Sequence, residues 1–255
     1  MRFRLLPHGA RDLLWQILLF CGAYWLYRLV RGQVWDQSAA AFEHARDIVS
    51  LERALHVFIE PSVQSWALNT GWVDQVGSWM YLNTHFIVTT CTLAFIYLFR
   101  NEHYYFVRNM FMVAMGLALV GYLVYPTAPP RMLPELGFSD SVADFTGVSS
   151  DASVNALYNP YAAVPSMHVG FALMLSVPMV RITRRRWAKA LWAIYAPIVA
   201  CVVVVTANHW VFYAATGALA AAVAAVAAQT LLARVRPQAW AWEAETALPA
   251  PARAG

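Results

Sequence analysis

An all-α, polytopic membrane bundle of six transmembrane helices, with interfacial helices between the first and second spans, is the fold class this sequence predicts. Three observations carry that reading. Hydrophobic residues make up 60% of the chain against 13% charged, with a mean hydropathy of +0.48, a balance far outside that of soluble domains. The apolar residues come in blocks, each near the roughly 20 residues a helix needs to cross the hydrocarbon core. The basic residues gather at four places: the N-terminus, Arg100 with Arg108, the stretch Arg181 to Lys189, and Arg234 with Arg236. Six crossings put all four on one side, which the positive-inside rule makes cytoplasmic.

Residues 1–32 hold the N-terminal segment and first span, with Arg2, Arg4 and Arg11 ahead of the apolar run Leu13 to Val30. A signal peptide is the rival reading, since Ser38 to Ala41 offers small residues for cleavage. The run is long for a signal core and Arg28 and Arg31 intervene, so a retained span is favoured. Residues 33–236 read as the main membrane domain. From Gln33 to Met80, Asp36, Glu43, Asp47, Glu52 and Glu60 are interleaved with Phe42, Ile48, Leu51, Leu55, Val57 and Phe58 at helical spacing. That pattern predicts helices lying at the outer interface, with breaks at Pro61 and Gly71.

Five further spans follow: Tyr81–Phe99, Val107–Tyr125, Val169–Val180 with its flanks, Trp187–Thr206 and Trp210–Ala233. The outward connection from Pro126 to Pro165 carries several prolines and glycines with Asp140, Asp144 and Asp151. It reads as a loop with a short helix, long enough for a lid or binding role. Residues 237–255 read as a disordered cytoplasmic tail. The expected location is the cell membrane, multi-pass, with both termini cytoplasmic. The net charge of +4 comes from arginines beside apolar runs, where they anchor helices, so nucleic acid is not an expected partner. Cys21, Cys91 and Cys201 lie inside apolar runs without close spacing and read as packing residues.

Topology brings three separated polar points to one outer rim: Arg131 beyond the third span, His168 at the start of the fourth and His209 at the start of the sixth. Ionisable groups at this depth are costly and face a protein interior or a wet cavity. A guanidinium offers a bidentate fork to phosphate oxygens. Of two imidazoles, one neutral ring can attack phosphorus while the other, protonated, gives a proton to the leaving oxygen. Ser166 caps the fourth helix if one begins there, and the free N–H groups of that end add an anion cradle. No carboxylate lies beside these residues, so no metal and no cofactor is expected.

Three blocks, Tyr125-Pro126-Thr127-Ala128-Pro129-Pro130-Arg131, Val164-Pro165-Ser166-Met167-His168 and Ala207-Asn208-His209-Trp210, resemble the signature blocks of the type-2 phosphatidic acid phosphatase superfamily. The Pro-Pro-Arg block and the stretch Leu51 to Glu60, leading to Tyr81, Asn83 and His85, resemble its inositolphosphotransferase-like branch, related to fungal inositol phosphorylceramide synthase. The resemblance implies His209 as the nucleophile of a phosphohistidine mechanism and His168 as general acid. Arg131, Ser166, Pro165 and Asn208 would form the substrate-binding set.

Three departures stand out. The lysine of the first block and the Ser-Arg pair of the third have no match, Val202 and Val203 standing where that pair would be. The aspartate expected four residues after the nucleophile, to orient its ring, is Tyr213. A phenol can accept a hydrogen bond but is neutral near pH 7, and the analogous loss in a serine protease costs on the order of 10⁴ in turnover. Asp140, Asp144 or Asp151 could substitute from the loop, and restoring the aspartate as Tyr213→Asp is expected to be tolerated.

The expected function is cleavage or transfer of the phosphoryl group of a lipid phosphate, lipid diphosphate or phospholipid head group at an extracytoplasmic site, with a membrane lipid as substrate. The alternative is a catalytically degenerate relative that binds anionic lipid or a partner protein, a reading that Tyr213 motivates. A small-molecule transporter lacks the expected paired broken spans. Neither the acceptor nor the oligomeric state can be read from the residues.

Overall fold

The computed structural model describes residues 6–32, 38–148 and 160–232, and these form an all-helical molecule. In chain order the helices are α1 (Gly9–Gly32), α2 (Ser38–Ala54), α3 (Glu60–Thr70), α4 (Trp72–Phe99), α5 (Asn101–Val124), α6 (Ser141–Thr146), α7 (Met167–Ile182), α8 (Arg186–Val205) and α9 (Val211–Ala227). A short π-helical turn extends α9 through Leu232. Among the described residues four helices are long and apolar enough to cross a membrane: α4, α5, α8 and the run Val211–Leu231. The apolar helix α7 is shorter, at 16 residues. The tail beyond 237 and Asp151 fall outside the described residues.

Helix boundaries follow local chemistry. Gly71, at φ +68°, closes α3 by giving its N–H to Ala67 and Leu68, a positive-φ stop that L-residues adopt only with strain. Pro61 starts α3 instead of interrupting it, since a proline at the first turn sacrifices no hydrogen bond. α4 begins at Trp72, earlier than the apolar run at Tyr81 suggests, because nothing between Gly71 and Tyr81 breaks the backbone. The mixed polarity of Trp72 to Met80 instead reflects that Gly77 and Ser78 are buried against the protein. α5 likewise starts at Asn101, ahead of Val107.

Three buried clusters hold the bundle. One joins α4, α5, α7 and α9 through Ile96, Phe111, Tyr122, Leu175 and Ala224. A second joins α4, α7 and α8 through Tyr81, Ala172, Val199 and Val203. The third packs α2 against the loop and the start of α9 through Ala45, Ile48, Leu133, Phe138, Trp210 and Tyr213. α9 and α7 approach so closely at Gly217 that an added Cβ would stand 2.2 Å from the Ser166 carbonyl oxygen.

Two expectations are corrected. Cys21, Cys91 and Cys201 are exposed, on outward faces of apolar helices, and are not packed inside. Arg108 does not flank a connection as a surface charge. It is buried, 9% exposed, and donates to Gln16 Oε1 at 2.7 Å, tying α5 to α1 beside Asp12, which accepts from the Tyr97 hydroxyl at 2.8 Å.

Candidate active site

The site is built where three helix ends meet the loop that follows α5. Ser166 N-caps α7, its Oγ accepting from the Val169 N–H at 3.5 Å, and its own N–H donates to the Tyr213 carbonyl at 3.2 Å. The preceding Val164–Pro165 bond is cis, and the Pro165 carbonyl accepts from the Tyr122 hydroxyl at 3.4 Å. Gly121 makes room for this turn, because a Cβ there would stand 2.6 Å from the Val164 oxygen. The block Val164–His168 is thereby held from α5 on one side and α9 on the other.

The turn between α8 and α9 carries the second histidine. Ala207 sits at φ +50°, a conformation costly for a residue with a Cβ and retained where surroundings enforce it. Its carbonyl accepts from the Arg131 N–H at 2.9 Å, and the N–H groups of Asn208 and His209 both reach Val203 O at 3.0 Å. Asn208 Nδ2 donates to Thr206 Oγ1 at 2.9 Å, while its Oδ1 accepts from Arg131 Nη1. The guanidinium of Arg131 is therefore bonded to the residue next to His209. Its Nε also pairs with Asp140 Oδ2 at 3.4 Å.

These contacts bring the predicted residues together. The His168 and His209 rings lie edge to face, with centroids 5.5 Å apart. His209 is almost fully buried and His168 partly so. Arg131 is bonded to Asn208 beside His209, and Pro165 and Ser166 immediately precede the helix turn that carries His168. Tyr213 stands edge to face with His209 at 5.4 Å, is fully buried, and gives its hydroxyl hydrogen to the Ala128 carbonyl at 3.0 Å. That carbonyl also accepts from Trp210 Nε1 at 3.0 Å.

Of the loop aspartates, Asp140 faces Arg131 and caps α6, its Oδ1 accepting from Ala143 N–H at 3.1 Å. The segment carrying it is not a free flap. Gln64 of α3 donates to Ser139 O at 2.8 Å and to Ser141 Oγ at 3.1 Å, and Ser78 of α4 donates to Ser141 O at 3.2 Å. Among the described residues no group of three or more His, Cys, Asp or Glu is arranged to hold a metal ion.

The family model described as the PAP2 superfamily matches residues 46–227. The chain belongs to the PAP2 superfamily. No curated protein and no solved structure matches the chain significantly. The PAP2 match runs from the second half of α2 to the end of α9 and includes every site residue just described, leaving α1 outside. At the general level it makes this a protein of phosphatase type, a phosphoric ester hydrolase or phosphotransferase.

Sequence reasoning did not assign four participants to the site. Tyr81 and His85 of α4 lie on His168, with ring centroids 4.7 Å and 4.5 Å away, and their presence in a span-length apolar run was the available signal. Glu52 and Glu60 read as polar-face residues of interfacial helices, yet both are buried. Glu60 Oε1 accepts from the Val211 N–H at 2.8 Å and Glu52 Oε1 from the Phe212 N–H at 2.7 Å. The signal was their place among Ile48, Val49 and Phe58, where a solvated face would carry few large apolar neighbours.

Proposed function

We propose that this protein is a membrane-embedded lipid phosphatase or phosphotransferase. It acts on a lipid phosphate, lipid diphosphate or phospholipid head group through a phosphohistidine on His209, within the inositolphosphotransferase-like branch of its superfamily. The observation that carries the proposal is that the His168 and His209 rings, far apart in sequence, lie 5.5 Å apart while Arg131 of the loop is bonded to Asn208, the residue beside His209. A guanidinium and two imidazoles so gathered suit a phosphoryl dianion and its transfer.

In the first step the lone pair of a His209 ring nitrogen attacks phosphorus. Nδ1 of His209 is buried, so the reading assigns the attack to Nε2. The P–O bond to the leaving group breaks, and protonated His168 gives its proton to that oxygen. Arg131 and the N–H groups at the start of α7 neutralise the charge gathering on the equatorial oxygens. In the second step water or an alcohol attacks the phosphohistidine, His168 takes the attacking group's proton, and the P–N bond breaks. Water makes the enzyme a hydrolase and a lipid or polyol hydroxyl makes it a transferase.

The membrane reading completes the picture with six spans, α1 and α7 joining the four helices of full length and apolarity. α7 covers about 24 Å at 1.5 Å per residue, short of the roughly 30 Å hydrocarbon core. Its polar head, with His168, then lies at the depth of a lipid head group. Arg100 and the run Arg184 to Arg186 face the cytoplasm, with the site on the opposite side and α2 and α3 along the outer interface.

The test is turnover of a panel of short-chain lipid phosphates and diphosphates by purified protein, with and without an alcohol acceptor, beside His209→Ala and His168→Ala. Loss of at least a thousandfold in His209→Ala, with a phosphohistidine trapped in the parent, supports the reading. Turnover surviving that change refutes it. The second reading, a catalytically degenerate lipid-binding relative, is favoured by Tyr213, whose hydroxyl is committed to Ala128. Lipid binding unchanged by His209→Ala, with no turnover of any substrate, is its signature.

A further inference from the structure

α9 begins two residues after His209, and its N-terminus lacks a side-chain cap from its own Trp210. The first backbone N–H groups of a helix need acceptors. Here they go to two carboxyls from other elements, Glu60 at the start of α3 and Glu52 near the end of α2. Both side chains are buried, 0% and 1% exposed. One oxygen of each is thus used, while the other, Glu60 Oε2 and Glu52 Oε2, is buried without a hydrogen-bond partner. Two facing carboxylates in such a place cannot both stay ionised, and a proton on one supplies the donor that both orphan oxygens lack.

We infer that Glu52 and Glu60 are an acid pair holding one proton between them, which clamps the first turn of α9 and so positions His209 where the expected aspartate is missing. The inference rests on His209 as the nucleophile. The pair keeps one negative charge at the positive end of the α9 dipole, immediately behind the histidine that becomes cationic during the reaction. It acts through the backbone, whereas an aspartate at 213 would act on the ring directly.

The titratable groups facing the pair bear on its protonation. Glu60 from α3 faces Glu52 directly, and Tyr213 from α9 feels the Glu52 charge, with Arg131 opposing it from the loop. Arg53 on α2 itself lies over the Phe58 ring, 4.9 Å from its centroid. Burial first, and then Glu60, push the Glu52 carboxyl up to about 8, against the opposing pull of the Phe212 N–H. The folded protein therefore retains a proton that the unfolded chain loses near 4.5. Stability contributed by that proton is complete below the ordinary carboxylate range, falls as pH rises through the interval, and is gone above about 8. Past that point two buried anions share the end of α9 and the clamp loosens.

The experiment compares the full-length parent with Glu52→Gln, which fixes the protonated form, in detergent from pH 5 to pH 9. Two readouts are taken: the melting temperature, and the melting-temperature shift produced by orthovanadate, a phosphoryl mimic. The expected result is a melting temperature that falls across the interval in the parent relative to the variant. Vanadate affinity is expected to drop at least tenfold more between pH 7 and pH 9 in the parent than in Glu52→Gln. Comparing the two proteins at each pH cancels vanadate's own ionisation. If Glu52→Gln does not fold, Glu60→Gln, which also leaves one carboxyl and one neutral donor, is read the same way.

Parallel melting profiles overturn the shared proton. Divergent melting with parallel vanadate affinities overturns the link to His209. A vanadate shift that persists in His209→Ala counts against the nucleophile itself, and the melting comparison still decides the acid pair.

Discussion

Tyr213 shows how burial reverses an expectation drawn from residue type. From sequence, Tyr213→Asp restores a missing carboxylate. In the folded chain the side chain is fully enclosed by Trp210, Thr127 and the Ala128 carbonyl, near the Glu52 carboxyl. An aspartate would bring another acid into that enclosure, and the nearby Arg131 is already bonded to Asn208 and Asp140, so Tyr213→Asp is expected to destabilise by roughly 3 kcal/mol. Tyr213→Phe, losing one neutral hydrogen bond, should cost about 1 kcal/mol. Thermal melts in detergent distinguish the two. Arg131 is the complementary case, since its nitrogens divide between Asn208 and Asp140. Arg131→Lys keeps the charge and loses the fork, and is expected to lower turnover about tenfold or more with little change in melting temperature.

At the scale of elements, helix contacts set the distance between the histidines. The N-terminus of α7 rests on α9 at Gly217, where a Cβ would fall 2.2 Å from the Ser166 oxygen. Neither backbone can yield without shifting the turn that carries His168. Gly217→Ala is expected to cost about 2 kcal/mol by overpacking and to reduce turnover together with stability. At Gly116 of α5 an added Cβ would meet nothing within 4 Å, so Gly116→Ala should leave the melting temperature unchanged or raise it slightly. The loop after α5 behaves as an extension of α3 and α4. Gln64→Ala releases the segment around Ser139 to Ser141 and with it the Asp140 partner of Arg131. Its expected effect is a raised KM with a smaller change in kcat.

For the whole molecule, the proposed topology places residues 126–165 outside the membrane and the α7–α8 connection inside. In a variant lacking the exposed native cysteines, a single cysteine at Asp144 should react with a membrane-impermeant maleimide added to intact cells. One at Arg184 should react only after permeabilisation, and the reverse pattern would invert the topology. The outward faces of the long helices carry the large apolar residues that such a bundle presents to lipid, among them Phe86, Val124, Leu191 and Leu219.

Much of this was legible from residue order. Span-length apolar blocks, helix stops at Gly71 and the two histidines at the heads of helices are local features, readable from composition, periodicity and capping chemistry. The expectation that Arg131 neighbours the histidines comes from an expected topology with the basic connections on one side. The partnerships were not legible. That Glu52 and Glu60 cap a helix far downstream in the chain, that Arg108 is a buried tie to α1, that Asp140 belongs to Arg131 and that His85 lies on His168 depend on which face each helix turns inward. A carboxylate in an amphipathic stretch has the same local pattern whether its face meets water or another helix. The amino-acid order determined which segments are helices and which groups could meet a phosphate, because those properties reside within one or two turns of chain. Only the packing of α2, α3, α7 and α9 decided which charges are enclosed together, because enclosure belongs to several segments at once.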